Sequence, residues 1–241
     1  FGSRLGPASL PMWALLPLLP LAGAQMLVQE LADHAQRAEA EATLQAQASV
    51  QLNAIAGGAD AIKTPELCDP NVKQFSGYLD AAKGNKYFFW LFESRSEPST
   101  DPLVMWLNGG PGCSSILGLF SENGPCKVNA DGATTTLNPN SWNAKANVIY
   151  VDQPAGTGFS TGPSLAHDET DVAENMVAFL QSFYAALPQY KANKFFLLGE
   201  SYAGHFIPAV THRIFQGNQQ LKTGTVKIEL KGMAIGNGLT D

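Results

Sequence analysis

At 241 residues and 45% apolar content, the chain can close one α/β core of its own. Its net charge of −6, with no basic run, argues against nucleic acid as a partner. Its three cysteines, Cys68, Cys113 and Cys126, are too few and too scattered for a metal centre, and no HExxH or CxxC spacing occurs.

Residues 1–24 have the layout of a secretory signal peptide. Arg4 supplies the positive end, residues 10–21 an apolar run broken by prolines, and Ala22-Gly23-Ala24 an A-x-A cleavage site. The run is too short for a stable membrane-spanning helix, so no membrane association is expected after cleavage. Residues 25–63 turn rich in Ala, Gln and Glu, with Gly57-Gly58 closing the helix-forming part. Such a segment builds no core of its own and reads as a propeptide or a solvated linker.

The folded domain is expected over 64–241. Residues 75–79 and 87–93 are rich in strand formers and flank Lys83-Gly84-Asn85, which predicts an antiparallel hairpin at a sheet edge. Further strands are predicted at 103–107, 147–152, 195–198 and 226–235, the last ending at Gly236-Asn237-Gly238. A helix over 168–187 presents Val172, Met176, Phe179, Leu180 and Phe183 on one face and crowds acids into its first turn. A second helix is predicted over 202–215. The polar stretch 129–143 reads as a surface loop. Strand alternating with helix implies an α/β fold with a doubly wound, mostly parallel sheet.

Two stretches carry chemistry. In FFLLGESYAG an apolar strand runs into Gly199, Glu200, Ser201, Tyr202 and Ala203. A serine between small residues at a strand-to-helix turn is the nucleophile-elbow pattern G-x-S-x-G, with Ala203 in place of the second glycine. The same residues also fit a plain strand-to-helix turn with Ser201 as an N-cap. In VMWLNGGPGCSS a strand runs into Asn108-Gly109-Gly110-Pro111-Gly112. Glycines there let backbone N–H groups point into a site, which acyl-transfer chemistry needs for its oxyanion.

Together WLNGGPGCSS, GESYAGH and IGNGLTD resemble the serine carboxypeptidase family, its carboxypeptidase Y branch in particular. FFWLFESR, SWN, VIYVDQPAGTGFS and FIP resemble it in the same order, so the likeness runs from about residue 69 to 241. The resemblance implies an α/β-hydrolase fold and a secretory-pathway serine carboxypeptidase, vacuolar, lysosomal or secreted, acting on peptide and protein C-termini. It implies an acyl-enzyme on Ser201, an oxyanion hole from the N–H groups of Gly110 and Tyr202, and no metal or organic cofactor. The substrate's terminal carboxylate would be held by Asn108, Gly109, Glu122 and Glu200, with Trp106 in support. Cys113 matches a family cysteine that bridges to the C-terminal half, whereas the pairing of Cys68 and Cys126 stays open. The triad of this fold runs Ser, then Asp or Glu, then His. His205 and His212 follow Ser201 too closely for that role, so 64–241 is expected to be the N-terminal part of the domain, inactive alone. The alternatives are a carboxypeptidase-like acyltransferase, an esterase with no use for Asn108 and Glu200, and a non-catalytic truncated binding protein.

Overall fold

A computed structural model describes residues 62–241. The signal peptide expected over 1–24 and all but the end of the propeptide expected over 25–63 lie outside the described residues. In chain order the elements are β1 (Gln74–Asp80), β2 (Lys86–Phe92), β3 (Leu103–Leu107), α1 (Ile116–Ser121), β4 (Cys126–Val128), β5 (Thr135–Leu137), β6 (Asn147–Val151), α2 (Glu169–Ala186), β7 (Phe195–Glu200), α3 (Ala203–Gln219) and β8 (Leu230–Gly236).

The main sheet has the order β1-β2-β6-β3-β7-β8. The β1–β2 hairpin lies at one edge and meets β6 antiparallel. From β6 onward β3, β7 and β8 all run parallel. The runs LVMWL and NVIYV are buried at every position, as strands covered on both faces must be. Alternation then divides them between two cores. Leu103, Met105, Leu107, Ile149, Val151, Phe195 and Leu197 face α2 and α3. Val104, Trp106, Val148 and Tyr150 face the other way, with Leu119 of α1 and the Cys68–Cys126 pair. Phe179 and Phe183 of α2 pack their rings against Phe89 of β2, at centroid distances of 6.0 and 5.9 Å. Asp168 caps α2 by accepting the Asp171 N–H at 2.9 Å, and Glu169 and Asp171 place negative charge in its first turn.

The structure departs from the sequence-based expectation most at three places, the first being α3, which runs on to Gln219 past the expected end at 215. The last strand begins at Leu230, not at 226. The backbone at Val226 is captured instead by the Gln181 side chain, which bonds both its N–H and its C=O. Asn218 does the same at Ile228. The stretch 129–143 is also more than a loop, because β5 pairs antiparallel with β4 in a small second sheet.

Cys68 and Cys126 are joined in a disulfide across a sequence separation of 58, which answers the pairing left open above. Beside it the fully buried Asp69 accepts from Arg95 Nε at 2.7 Å. The other two guanidinium nitrogens bond the carbonyls of Asn138 and Pro125. This ties the segment before β1 to the β4–β5 hairpin. Closing a loop of that length restricts the unfolded chain by up to about 4 kcal/mol. Replacing both cysteines by serine is expected to lower unfolding stability by about 2–4 kcal/mol in a urea titration. An unchanged midpoint would mean that the Asp69–Arg95 network alone fixes this region.

Candidate functional site

β3 and β7 are parallel neighbours, with Leu107 opposite Gly199, so the loops leaving their C-terminal ends emerge side by side. Ligands of open α/β sheets bind at that end of the strands. The elbow after β7 holds Ser201 at φ +58°, exposed, in the left-handed region that costs a non-glycine residue about 1–2 kcal/mol. Backbone bonds fix it there. Ser201 N–H donates to Gly236 O at 3.0 Å, and Ser201 O accepts from Leu239 N–H at 2.9 Å and Gly204 N–H at 3.0 Å. A Cβ on Gly199 would stand 2.2 Å from Leu107 O and 2.9 Å from the Ala203 methyl. The missing side chain at 199 is thus what makes room for alanine at 203.

The glycine loop folds against this elbow. A Cβ on Gly109 would lie 2.4 Å from Tyr202 N and 2.9 Å from Glu200 O. The backbone N–H groups of Gly109, Gly110 and Tyr202 have no hydrogen-bond partner among the described residues. A developing oxyanion needs donors of this kind, placed close together and unpaired in the ground state.

Behind the loop stands a cluster centred on Asn108, which is buried at 4% exposure. Its Oδ1 accepts from Trp106 Nε1–H at 2.8 Å and from Gly118 N–H at 3.1 Å. Two donors on that atom fix the amide's orientation. Nδ2 therefore faces outward and donates to Glu122 Oε1 at 2.9 Å and Glu200 Oε1 at 3.1 Å. One amide thus gathers two carboxylates next to Ser201. Burial pushes the Glu122 carboxyl above its usual range. The Asn108 hydrogen bond pulls it back, and the Glu200 charge adds to the rise. The arrangement can accept a third carboxylate if a proton is shared among them.

Every residue singled out from the sequence for the site lies in these two loops, their flanking strand ends, or the end of α1. Glu122 is the residue capping that helix. Cys113 is a free, half-buried thiol within the glycine loop, its pKa raised by burial and then by Glu200. His205 stacks on Tyr202 at 4.5 Å, and its Nδ1 lies 3.6 Å from Glu169 on α2. It packs the two helices together and makes no hydrogen bond to Ser201. His167 and His212 are exposed.

Sequence reasoning missed three supports. Asn123 accepts at its side chain from Tyr150 Oη at 2.9 Å and at its carbonyl from Ser141 Oγ and Trp142 N–H, which fixes the position next to Glu122. Trp142 then stands edge-on to Trp106 at 5.2 Å. Asp152, buried at the end of β6, accepts from the loop residues Ser114 and Ser115. The signal for Asp152 was present, an acid closing an apolar strand in VIYVD. No group of metal-ligating side chains occurs among the described residues, and no described helix is long and apolar enough to cross a membrane.

The sequence model of the serine carboxypeptidases matches residues 65–241. Carboxypeptidase Y of Schizosaccharomyces pombe is 47% identical over 187 residues, covering 74% of this chain and 19% of that protein. Carboxypeptidase Y homolog A of Uncinocarpus reesii is 47% identical over 174 residues, 72% of this chain and 31% of that protein. Among solved structures, Kex1(delta)p, a prohormone-processing carboxypeptidase from Saccharomyces cerevisiae, superposes with a TM-score of 0.64 at 34% identity. That match covers 72% of this chain and 41% of the other. The chain thus spans less than half the length of each of these relatives.

Proposed function

The chain belongs to the serine carboxypeptidase family and has its α/β-hydrolase fold, and from that premise we propose that the protein hydrolyses the last peptide bond of peptides and proteins through an acyl-enzyme on Ser201. The observation that carries this reading is the Asn108 amide bonded to both Glu122 and Glu200 beside the elbow. An esterase or an acyltransferase working on an uncharged acceptor has no use for paired carboxylates there. A carboxypeptidase does, because its substrate ends in a carboxylate.

In this reading the substrate's terminal carboxylate sits on the Asn108 amide and the Gly109 N–H, and shares a proton with Glu122 and Glu200. Trp106 holds the amide in place. Ser201 Oγ attacks the adjacent carbonyl carbon while its proton passes to a general base. The carbonyl oxygen takes the negative charge and is met by the N–H groups of Gly110 and Tyr202. The C–N bond then breaks, the amine leaves with a proton, and water cleaves the ester to release Ser201. No imidazole or carboxylate is hydrogen-bonded to Ser201 among the described residues, so the activity is to be measured on the protein expressed from its native transcript. The Cys68–Cys126 disulfide supports a route through the oxidising secretory pathway.

The test compares one peptide with a free C-terminal carboxylate and the same peptide amidated. Release of the last residue is expected from the first and loss of about 100-fold or more in kcat/KM from the second. Because Glu122 is held above its usual range, its protonated form persists to higher pH. Ionisation of Glu122 places an added negative charge beside the substrate carboxylate, so KM for the free peptide is expected to rise as pH climbs from acid to neutral. The amidated peptide's KM is expected to stay flat. Equal cleavage of both peptides, or a KM for the free peptide that ignores pH, would overturn the carboxylate-recognition reading.

A further inference from the structure

The glycine loop is anchored by a buried group that the reaction itself does not use. Asp152 follows directly on β6, the strand beside β3, and its side chain is fully buried. Oδ1 accepts from Ser114 Oγ–H at 2.6 Å and Ser115 N–H at 2.9 Å. Oδ2 accepts from Phe159 N–H at 2.9 Å. Ser115 extends the frame, since its hydroxyl donates to Val151 O at 2.6 Å and accepts the Asn108 N–H at 3.2 Å. The first residue of the loop and its last two therefore all run back to Val151 and Asp152. Gly109, Gly110 and Gly112, between these fixed ends, bring no side chain of their own to hold the loop.

The choice of a carboxylate is itself informative. No lysine, arginine or histidine pairs with Asp152 among the described residues. A buried carboxylate without a cation is costly unless every oxygen is met by donors. Here the partners are all N–H or O–H donors and they occupy both oxygens. Asparagine has the same shape but offers only one oxygen, so its NH2 would face a donor on one side or the other.

We propose that Asp152 is the positioning residue of the oxyanion loop, acting through Ser114 and Ser115 to hold the Gly109-Gly110 backbone in place, with Gly109 packed against the elbow. The hydrogen-bond partners of the Asp152 side chain are Ser114, Ser115 and Phe159, and Ser201 is not among them. This rests on the proposed role of Gly110 in oxyanion binding, but the hold on the loop is a separate matter and can be measured without turnover.

The experiment uses Asp152→Asn and, because that variant puts a donor into a buried frame, also Ser114→Ala, which removes one bond and leaves the carboxylate. Amide hydrogen exchange resolved to the segment 108–115 is the first readout. Exchange there is expected to quicken about 10-fold or more in Asp152→Asn, with protection in β3 and β7 unchanged. The second readout is the split between kcat and KM on a free-carboxylate peptide. Misplacing one oxyanion donor is expected to lower kcat by about 10²-fold in Asp152→Asn and about 10-fold in Ser114→Ala, with KM within about 2-fold of wild type. The third is inhibition by a peptidyl trifluoromethyl ketone, whose affinity is expected to fall in step with kcat while that of the product peptide holds. Unchanged exchange in 108–115 in both variants overturns the proposal. So does faster exchange with unchanged kcat, or a KM that moves as far as kcat. Should Asp152→Asn not fold, the same criteria apply to Ser114→Ala. A wild-type protein that neither hydrolyses peptides nor reacts with a fluorophosphonate ends the hydrolase reading, while the exchange data still decide whether Asp152 holds the loop.

Discussion

Replacing Ser201 by alanine is expected to lower kcat by about 10⁵-fold or more and to abolish labelling by a fluorophosphonate, because removing an acyl-forming hydroxyl leaves only binding and oxyanion donors. The structure adds a second signature that separates a nucleophile from a mere turn residue. Ser201 sits at φ +58° with its backbone N–H and C=O both bonded to the Gly236–Leu239 turn. Alanine suffers the same left-handed strain as serine, so Ser201→Ala is expected to melt close to wild type. Glycine does not, so Ser201→Gly is expected to gain about 1 kcal/mol while being as inactive as alanine. An inactive variant that is more stable than the parent is what a strained functional residue produces. Ser201→Ala keeping more than about a hundredth of the wild-type rate would place the nucleophile elsewhere, and Ser114 and Ser115 would be the residues to replace next.

The elements that were legible in the sequence are those whose cause is local. The strand at 103–107 and the run 195–198 that opens β7 announce themselves as short apolar stretches leading toward glycine, though β7 itself continues to Glu200, and the hairpin is announced by Lys83-Gly84-Asn85. The helix 169–186 shows its buried face through spacing alone. What failed depends on partners far along the chain. Nothing near Val226 says that its peptide groups go to Gln181, 45 residues earlier, instead of to a strand. Thr135–Leu137 looks like loop because a two-stranded ribbon on the surface needs no apolar alternation, only a partner such as Cys126–Val128. The same division runs through the site. Ser201 and Gly110 stand in motifs that local pattern brings to notice, whereas Asn108 is singled out through the family resemblance. Asp152 and Asn123 work by gathering donors from loops that sequence order keeps apart, as when Asp152 bonds Ser114, 38 residues before it. A single buried acid or amide carries no periodicity, so its role becomes visible only once its partners are in place.

Gly109→Ala is the substitution expected to do the most damage for the fewest atoms. The added methyl would stand 2.4 Å from Tyr202 N, 2.9 Å from Glu200 O and 3.0 Å from Ser201 Cβ. None of these can swing aside as the tip of a flexible side chain would. Glu200 is the last residue of β7, hydrogen-bonded in the sheet, and Tyr202 leads into α3. The elbow is held from behind by Gly236 and Leu239. The glycine loop therefore has to lift. Lifting separates the Gly110 and Tyr202 N–H groups and stretches the Asn108–Glu200 bond of 3.1 Å. The first effect lowers kcat, expected at about 10²–10³-fold, and the second raises KM for a free-carboxylate peptide. The overpacking itself is expected to cost about 1–3 kcal/mol of stability. Gly110→Ala provides the contrast. There the methyl would meet Cys113 N at 2.7 Å and Gly112 N at 2.8 Å, inside the loop itself, at a residue with φ +109°. It is expected to lower kcat while sparing KM, since the Asn108 cluster is left where it is. If Gly109→Ala kept wild-type kcat, the loop and the elbow would not be a rigid pair, and the donors proposed to meet the oxyanion would have to be sought elsewhere.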